Sequence, residues 1–385
     1  MLVNNPWPHL TTYDVNNTSN VLNNGSSYLN NTKVDFDYWY CQFSDYNSFK
    51  IYPIKSLMLP EHFERVMKKD LFIILENANE CFNSSVDGIY LNLVLDAGIP
   101  ESQIILVSGG PDPADRIKFL ADHMGKETIK FDWFSSQEVS VRDYFRGLDN
   151  SIEIPPILEQ KEYTKKYLNL NRRWRVHRPA VLALLYERGL IDQGHNSFGK
   201  DDIGSSWDST WFSVQNYFGT SMEIQNRLTA GAMVKKLLPL YLDTDDLVTN
   251  RAHLEASIFP FYSDTYFSII NETTYVTTNP NDGRFLTEKT FKAIGIGHPF
   301  LLVAPPRSLN LLKSLGYKTF SPLINEHYDL IKDDTQRLLA IINEAERLCK
   351  LQGDELTYFL DEARKICEFN RDRLFNSKSF VRRLV

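Results

Sequence analysis

The chain has 385 residues, of which 43% are hydrophobic, 13% aromatic and 24% charged, with a net charge of -7. This is the composition of a folded globular protein, and the length allows two domains that each bury a core. The acidic balance excludes a global attraction to nucleic acid, so a DNA contact would need a local basic patch, and no apolar run approaches the roughly 18 residues that span a bilayer.

In chain order, the N-terminal MLVNNPWPHL has neither the basic region nor the apolar core of a signal peptide, and a cytoplasmic location is expected. The first 30 or so residues are rich in Asn, Ser and Thr and read as an irregular arm, whose glycosylation sequons are what such a composition produces by chance. The run LFIIL at 71–75 has the continuous apolar character of a buried strand. VDGIYLNLVLDAG follows as a helix with a Gly stop, and QIILVSGG as a second strand ending in a glycine loop. PADRIKFLADHM reads as a further helix and ETIKFDWF as a third strand, so the first half is expected to be an α/β domain with a parallel sheet. The cysteines Cys41, Cys81, Cys349 and Cys367 stand far apart with no CxxC pair, which favours reduced, partly buried thiols over a zinc site or a disulfide framework.

Pro155 and Pro156 interrupt both helix and central strand, and they mark a boundary between domains 1–155 and 156–385. Beyond it the short strand YLNL is surrounded by Lys165, Lys166, Arg172, Arg173, Arg175 and Arg178. Pro179 suits the first position of a helix that runs through AVLALLYER to Gly189. Cations between a strand end and a helix start are placed to bind an anion, although a charge run reads equally well as solvated surface. Residues 195–222 read as a long loop whose aromatics, among them Trp207, Trp211 and Phe218, could stack on a sugar or base but more often pin such a loop to the body. A helix is expected at 229–242. The triplets Asp35-Phe36-Asp37 and Asp243-Thr244-Asp245 match a metal-binding DxD pattern, but so short a pattern recurs by chance.

YFSII is a strand that delivers Glu272 to its carboxyl end, the ligand edge of an open α/β sheet. Thr287 is an N-cap with Leu286 and Phe291 as a hydrophobic staple, which sets Glu288, Lys289 and Thr290 in the first helical turn. Lysine is the unfavourable sign beside the positive end of a helix dipole, and its presence there points to an anion to be held. Glu288 is placed to accept a ribose or sugar hydroxyl, while the bland reading makes both residues ordinary helix-start and surface groups. PFLLVA is then a buried strand, SLNLLKSLG a helix, YKTF a short strand, and two long amphipathic helices close the chain, the first with Leu338, Ile341, Ile342, Ala345 and Leu348 on one face.

The stretch YVTTNPNDGRFLTEKTFKAIGIGHPFLLVAPP resembles the nucleotide-sugar signature of the α1,3-fucosyltransferase type, in which a Thr-Glu-Lys run opens a helix that ends in Gly before a Pro-led strand. It is similar also to a group of virus-encoded glycosyltransferases, through NETTY, FLTEKTFKAI, HPF, LGYKTF and NEHYD. YLNLNRRWRVHRPAVLALL resembles the strand, basic loop and helix that bring a phosphate-binding arginine in those enzymes. The resemblance covers residues 165–330, and the usual Ala-Gly-Ala-Val-Pro ending is replaced by Gly-Ile-Gly-His-Pro. It implies a GT-B arrangement of two Rossmann-like domains and a metal-independent, inverting transfer from a nucleotide-sugar, with no separate cofactor. Arg178 and Lys289 would neutralise the diphosphate and Glu288 would bind a hydroxyl, with Glu272, Arg284 and Thr290 beside the donor. An inverting mechanism also needs a carboxylate base on the acceptor side, for which Glu76 is the first candidate and Asp87 the second. The viral likeness suggests a hydroxymethylated pyrimidine in DNA as acceptor, in a host cytoplasm. A surface polysaccharide or protein hydroxyl, and a catalytically idle nucleotide-binding or interaction protein of the same fold, are the alternatives.

Overall fold

The computed structural model describes residues 10–13, 32–43, 58–78, 81, 83–148, 153–159, 162–171, 174–198, 201–202, 205–240, 242, 256–276, 283–376 and 382–384. Their strands are β1 (Leu10–Tyr13), β2 (Thr32–Val34), β3 (Tyr38–Phe43), β4 (Phe72–Asn77), β5 (Ile104–Ser108), β6 (Lys130–Trp133), β7 (Tyr167–Leu170), β8 (Gly194–Ser197), β9 (Asp201–Asp202), β10 (Ser205–Ser206), β11 (Phe267–Asn271), β12 (Phe300–Val303) and β13 (Arg382–Leu384). Their α-helices are α1 (Pro60–Met67), α2 (Asn83–Ile89), α3 (Pro113–Met124), α4 (Ser136–Arg146), α5 (His177–Glu187), α6 (Trp207–Phe218), α7 (Met222–Gly231), α8 (Phe259–Ser263), α9 (Glu288–Ile296), α10 (Ser308–Ser314), α11 (Asp334–Cys349) and α12 (Gly353–Asn376). The chain forms two compact units. The first is Met1–Ser140 with Thr278–Phe285 and Ser377–Val385, and the second is Val141–Thr277 with Leu286–Asn376. The first crossing falls inside α4, ahead of Pro155.

In the first unit β3, β4, β5 and β6 lie side by side and parallel, with β1 antiparallel on β3. The apolar runs behave as continuous apolar strands do, burying side chains on both faces. Ile73, Leu75, Ile104 and Leu106 pack with Val86, Leu93, Leu120 and Ala121 on one side, and Ile74, Ile105 and Val107 pack with Tyr40 on the other. The helix expected through VDGIYLNLVLDAG continues past α2 as a π-helical stretch, Tyr90–Asp96, before Gly98 stops it.

The second unit holds a four-stranded parallel sheet in the order β12-β11-β7-β8. From β7 the chain crosses through α5 to β8 on one side, and from β11 through α9 to β12 on the other. The connections therefore part between β7 and β11, the topological switch point outside whose carboxyl ends ligands of open α/β sheets bind. The expected α/β class with two parallel sheets is what the chain adopts. Leu338, Ile341, Ile342, Ala345 and Leu348 of α11 are buried.

Several local expectations are corrected. Residues 195–222 are not one loop: they contain β8 and α6, where Trp207, Trp211, Val214 and Phe218 repeat at helical spacing and bury one face. The helix expected at 229–242 starts earlier, as α7, because Ser221 caps it by accepting from the Ile224 N–H at 3.3 Å. Helix α5 begins at His177, ahead of Pro179. Residues 317–320 form no strand, since the N–H groups of Phe320 and Ser321 donate to the Glu326 carboxylate at 2.6 and 3.1 Å instead of to a neighbouring chain. Asp37 is paired with Arg65 at 2.7 Å, while Asp243 and Asp245 lie outside the described residues.

Candidate functional site

Glu272 directly follows β11, and its N–H donates to the carbonyl of Val303 at the end of β12 at 3.0 Å. The side chain is fully buried. One carboxylate oxygen accepts from the Thr287 N–H at 3.0 Å and the Thr290 hydroxyl at 2.5 Å, and the other from the Thr287 hydroxyl at 2.5 Å. A helix start leaves backbone donors unpaired and carries partial positive charge, and Glu272 answers both needs from the neighbouring strand. Expected beside a donor ligand, Glu272 and Thr290 thus spend these groups on holding the first turn of α9.

Thr287 is the N-cap, as expected, accepting from the Lys289 N–H at 3.4 Å. Gly297 ends the helix at φ +79°, a left-handed conformation that a side chain makes costly. The Lys289 ammonium donates to Glu288 at 2.7 Å and to the Thr287 hydroxyl at 3.1 Å. Glu288 and Lys289 keep 18% and 22% of their side chains exposed, so both are reachable from solvent.

Helix α5 brings two more groups to the end of β11. Arg178, buried, donates through one terminal nitrogen to the carbonyls of Asn271 and Glu272, both at 3.3 Å. His177 meets the Glu272 carbonyl through Nε2 at 3.0 Å and stacks on Tyr275 with ring centres 5.2 Å apart. Burial drives the His177 pKa well below its usual value, and the Arg178 charge adds to this, so the ring is neutral. The segment after β11 is fixed by Arg337, which lies 4.3 Å from the Tyr275 ring centre and donates to the carbonyls of Tyr275 at 2.8 Å and Ala304 at 3.1 Å. The second unit thus gathers Arg178, Glu272, Glu288, Lys289 and Thr290 around the switch point.

Arg284 belongs to the first unit, where Asp112 accepts from its N–H at 2.6 Å and from Nε at 2.8 Å, and the side-chain bond raises the guanidinium pKa. The Gly283 N–H donates to the Cys81 carbonyl at 3.1 Å. Gly110 allows this close approach, since a Cβ there would stand 2.2 Å from the Arg284 carbonyl oxygen. Arg284 is therefore an anchor of its own segment. The proposed bases lie in the same unit with different partners. Glu76, on β4 and buried, accepts from the Tyr40 hydroxyl at 2.6 Å, while Asp87, on α2, accepts from Arg116 of α3 at 2.8 Å.

Much of the basic cluster before α5 has structural partners. Lys165 donates to the Asp192 carbonyl at 2.6 Å, Lys166 lies 5.9 Å from the Tyr266 ring centre, and Arg175 donates to the Trp174 carbonyl at 3.0 Å. Arg172 and Arg173 lie outside the described residues. Sequence reasoning missed Asp112 and His177, for which no local pattern exists. It missed also the asparagines of YLNLN, whose alternation puts 169 and 171 on one face of a strand. Among the described residues no helix is long and apolar enough to cross a membrane. Comparison with protein-family models, with curated proteins and with solved structures returns no match.

Proposed function

We propose that the chain is a glycosyltransferase of the GT-B class that moves a sugar from a nucleotide-sugar to a hydroxyl. The observation that carries this reading is the start of α9 at the switch point of a parallel sheet, with Lys289 in its first turn and Arg178 at the neighbouring strand end. A departing diphosphate develops negative charge, and fixed cations with a helix start stabilise that charge. Lys289 is the reachable cation, and it exchanges Glu288 for phosphate. Arg178 supplies a second positive charge whose orientation the β11 carbonyls set. Glu288, released from Lys289, accepts a hydroxyl of the donor. Glu76 is the candidate base, on the strength of a carboxylate at the carboxyl end of a first-unit strand. The acceptor class favoured is a hydroxymethylated pyrimidine of DNA, which rests on the viral likeness alone.

A thermal-shift panel of nucleotide-sugars tests this. A donor present at about 100 times its dissociation constant adds roughly 2.7 kcal/mol of stability, and Lys289→Ala is expected to abolish that shift and the hydrolysis or transfer of the sugar while leaving the unliganded melting temperature in place. No shift with any nucleotide-sugar, or full turnover by Lys289→Ala, would overturn the assignment.

A further inference from the structure

Asn169, Asn171, Asn196 and Asn271 form a buried network at the carboxyl side of the second sheet, and its hydrogen-bond direction is dictated from one end. The Asn196 side-chain nitrogen faces the carbonyl oxygens of Ile191 at 3.0 Å and Gly194 at 3.3 Å, and the Tyr167 hydroxyl at 3.2 Å. Carbonyls only accept, so the nitrogen must sit there. The Asn196 oxygen is thereby turned to the Asn169 nitrogen, 3.0 Å away. This in turn points the Asn169 oxygen at its other neighbours, the nitrogens of Asn171 and Asn271, each at 2.8 Å.

The last two amides therefore present their oxygens away from the network, and no hydrogen bond from the described residues reaches either oxygen. Asn171 is 4% exposed and Asn271 1%. Leaving a buried acceptor unmet costs stability, and a chain of donating amides polarises its terminal oxygens into better acceptors. These costs fall at the switch point, with the Asn271 carbonyl held by Arg178 and the next residue, Glu272, holding α9.

We propose that Asn171 and Asn271 determine ligand specificity at this site by accepting hydrogen bonds from donors on adjacent atoms of the ligand. The proposal rests on the nucleotide-sugar reading above. Adjacent donors are implied because both amide nitrogens meet a single oxygen of Asn169, which sets the two side chains next to each other. A nucleotide offers such donors in the ribose diol and in the N1–H and amino group of guanine. Both oxygens are closed to solvent, so the ligand displaces what covers them and restores two bonds.

The test is calorimetric titration of the full chain with GDP, UDP, ADP and CDP, with their 2′,3′-dideoxy counterparts, and with IDP, which lacks the guanine amino group. For whichever parent binds best, loss of the diol or, for GDP, of the amino group is expected to weaken binding about tenfold or more. The first result assigns the donors to the ribose and the second to the base. In Asn171→Ala or Asn271→Ala the gap between the parent and the weakened analogue is expected to narrow. Should neither variant fold, the side-chain amide resonances of Asn171 and Asn271 in the unaltered protein are expected to shift with the parent and not with that analogue. Equal binding of parent and analogues, a weakening that persists in full in both variants, or unmoved resonances would overturn this inference and leave the nucleotide reading standing. A folded protein that binds none of the four diphosphates would overturn both.

Discussion

His298 shows how a single buried ring ties stability to pH. Its Nδ1 lies 2.8 Å from the Ser268 hydroxyl and its Nε2 2.9 Å from the Thr265 carbonyl, so the hydroxyl donates to the first and the second donates in turn. The ring is neutral in this arrangement, and burial pushes its pKa down to about 4. In the unfolded chain the same ring titrates near the usual value of about 6.5. Because the folded-state pKa is the lower one, the unfolded chain binds more protons below that value, and stability is full above it and falls as pH drops towards 4. At pH 5 the loss from His298 amounts to about 2 kcal/mol. Urea unfolding at pH 7.5 and pH 5 measures it, and His298→Gln is expected to lose less stability on acidification than the unaltered chain. Equal losses in the two proteins would show that His298 carries no linkage. The buried, neutral His177 acts in the same sense.

At the scale of the element, α9 owes its fixed start to a residue of another strand. In Glu272→Gln an NH2 group would face donors from Thr287 and Thr290, and the negative charge beside the helix dipole would be gone. The expected cost is about 2–4 kcal/mol, seen as a lower urea midpoint at an unchanged slope; an unmoved midpoint would mean that the carboxylate does not hold the helix. The sequence made the two ends of α9 legible, because Thr287 and Gly297 act within a few residues of themselves and obey local rules of capping and backbone conformation. It also showed β4, β5, β11 and β12, whose continuous apolar runs reflect burial on both faces. What it concealed was of two kinds. The aromatic spacing of Trp207, Trp211 and Phe218 was a helical face masked by a loop-like setting of Gly, Ser and Asp. The Asn network, Glu272 with Thr287, and Asp112 with Arg284 are tertiary pairings, and single-chain periodicity carries no signal of which distant residue will be the partner.

The whole molecule is threaded so that the first unit is completed by residues from much later in the chain. Gly283 and Arg284 meet Cys81 and Asp112, and β13 pairs in parallel with β2. Cys81 is buried, and desolvation, with the Asp112 charge adding to it, pushes its pKa up to about 12, which makes it inert. A polypeptide of residues 1–155 lacks Gly283–Phe285, and its Cys81 is expected to react with a thiol reagent much faster than in the intact chain, as peptide mapping of the labelled protein would read out. Equal protection in both would show that the returning segment does not shield the thiol. A matter of register governs α9 inside the second unit. Glu272 takes the Thr287 N–H together with the Thr287 and Thr290 hydroxyls, groups that meet one carboxylate only at this spacing. A residue inserted directly after Thr287 would turn the rest of the helix by about 100°, taking Lys289 and Thr290 with it, so here the number of residues constrains the site as strictly as their identity does.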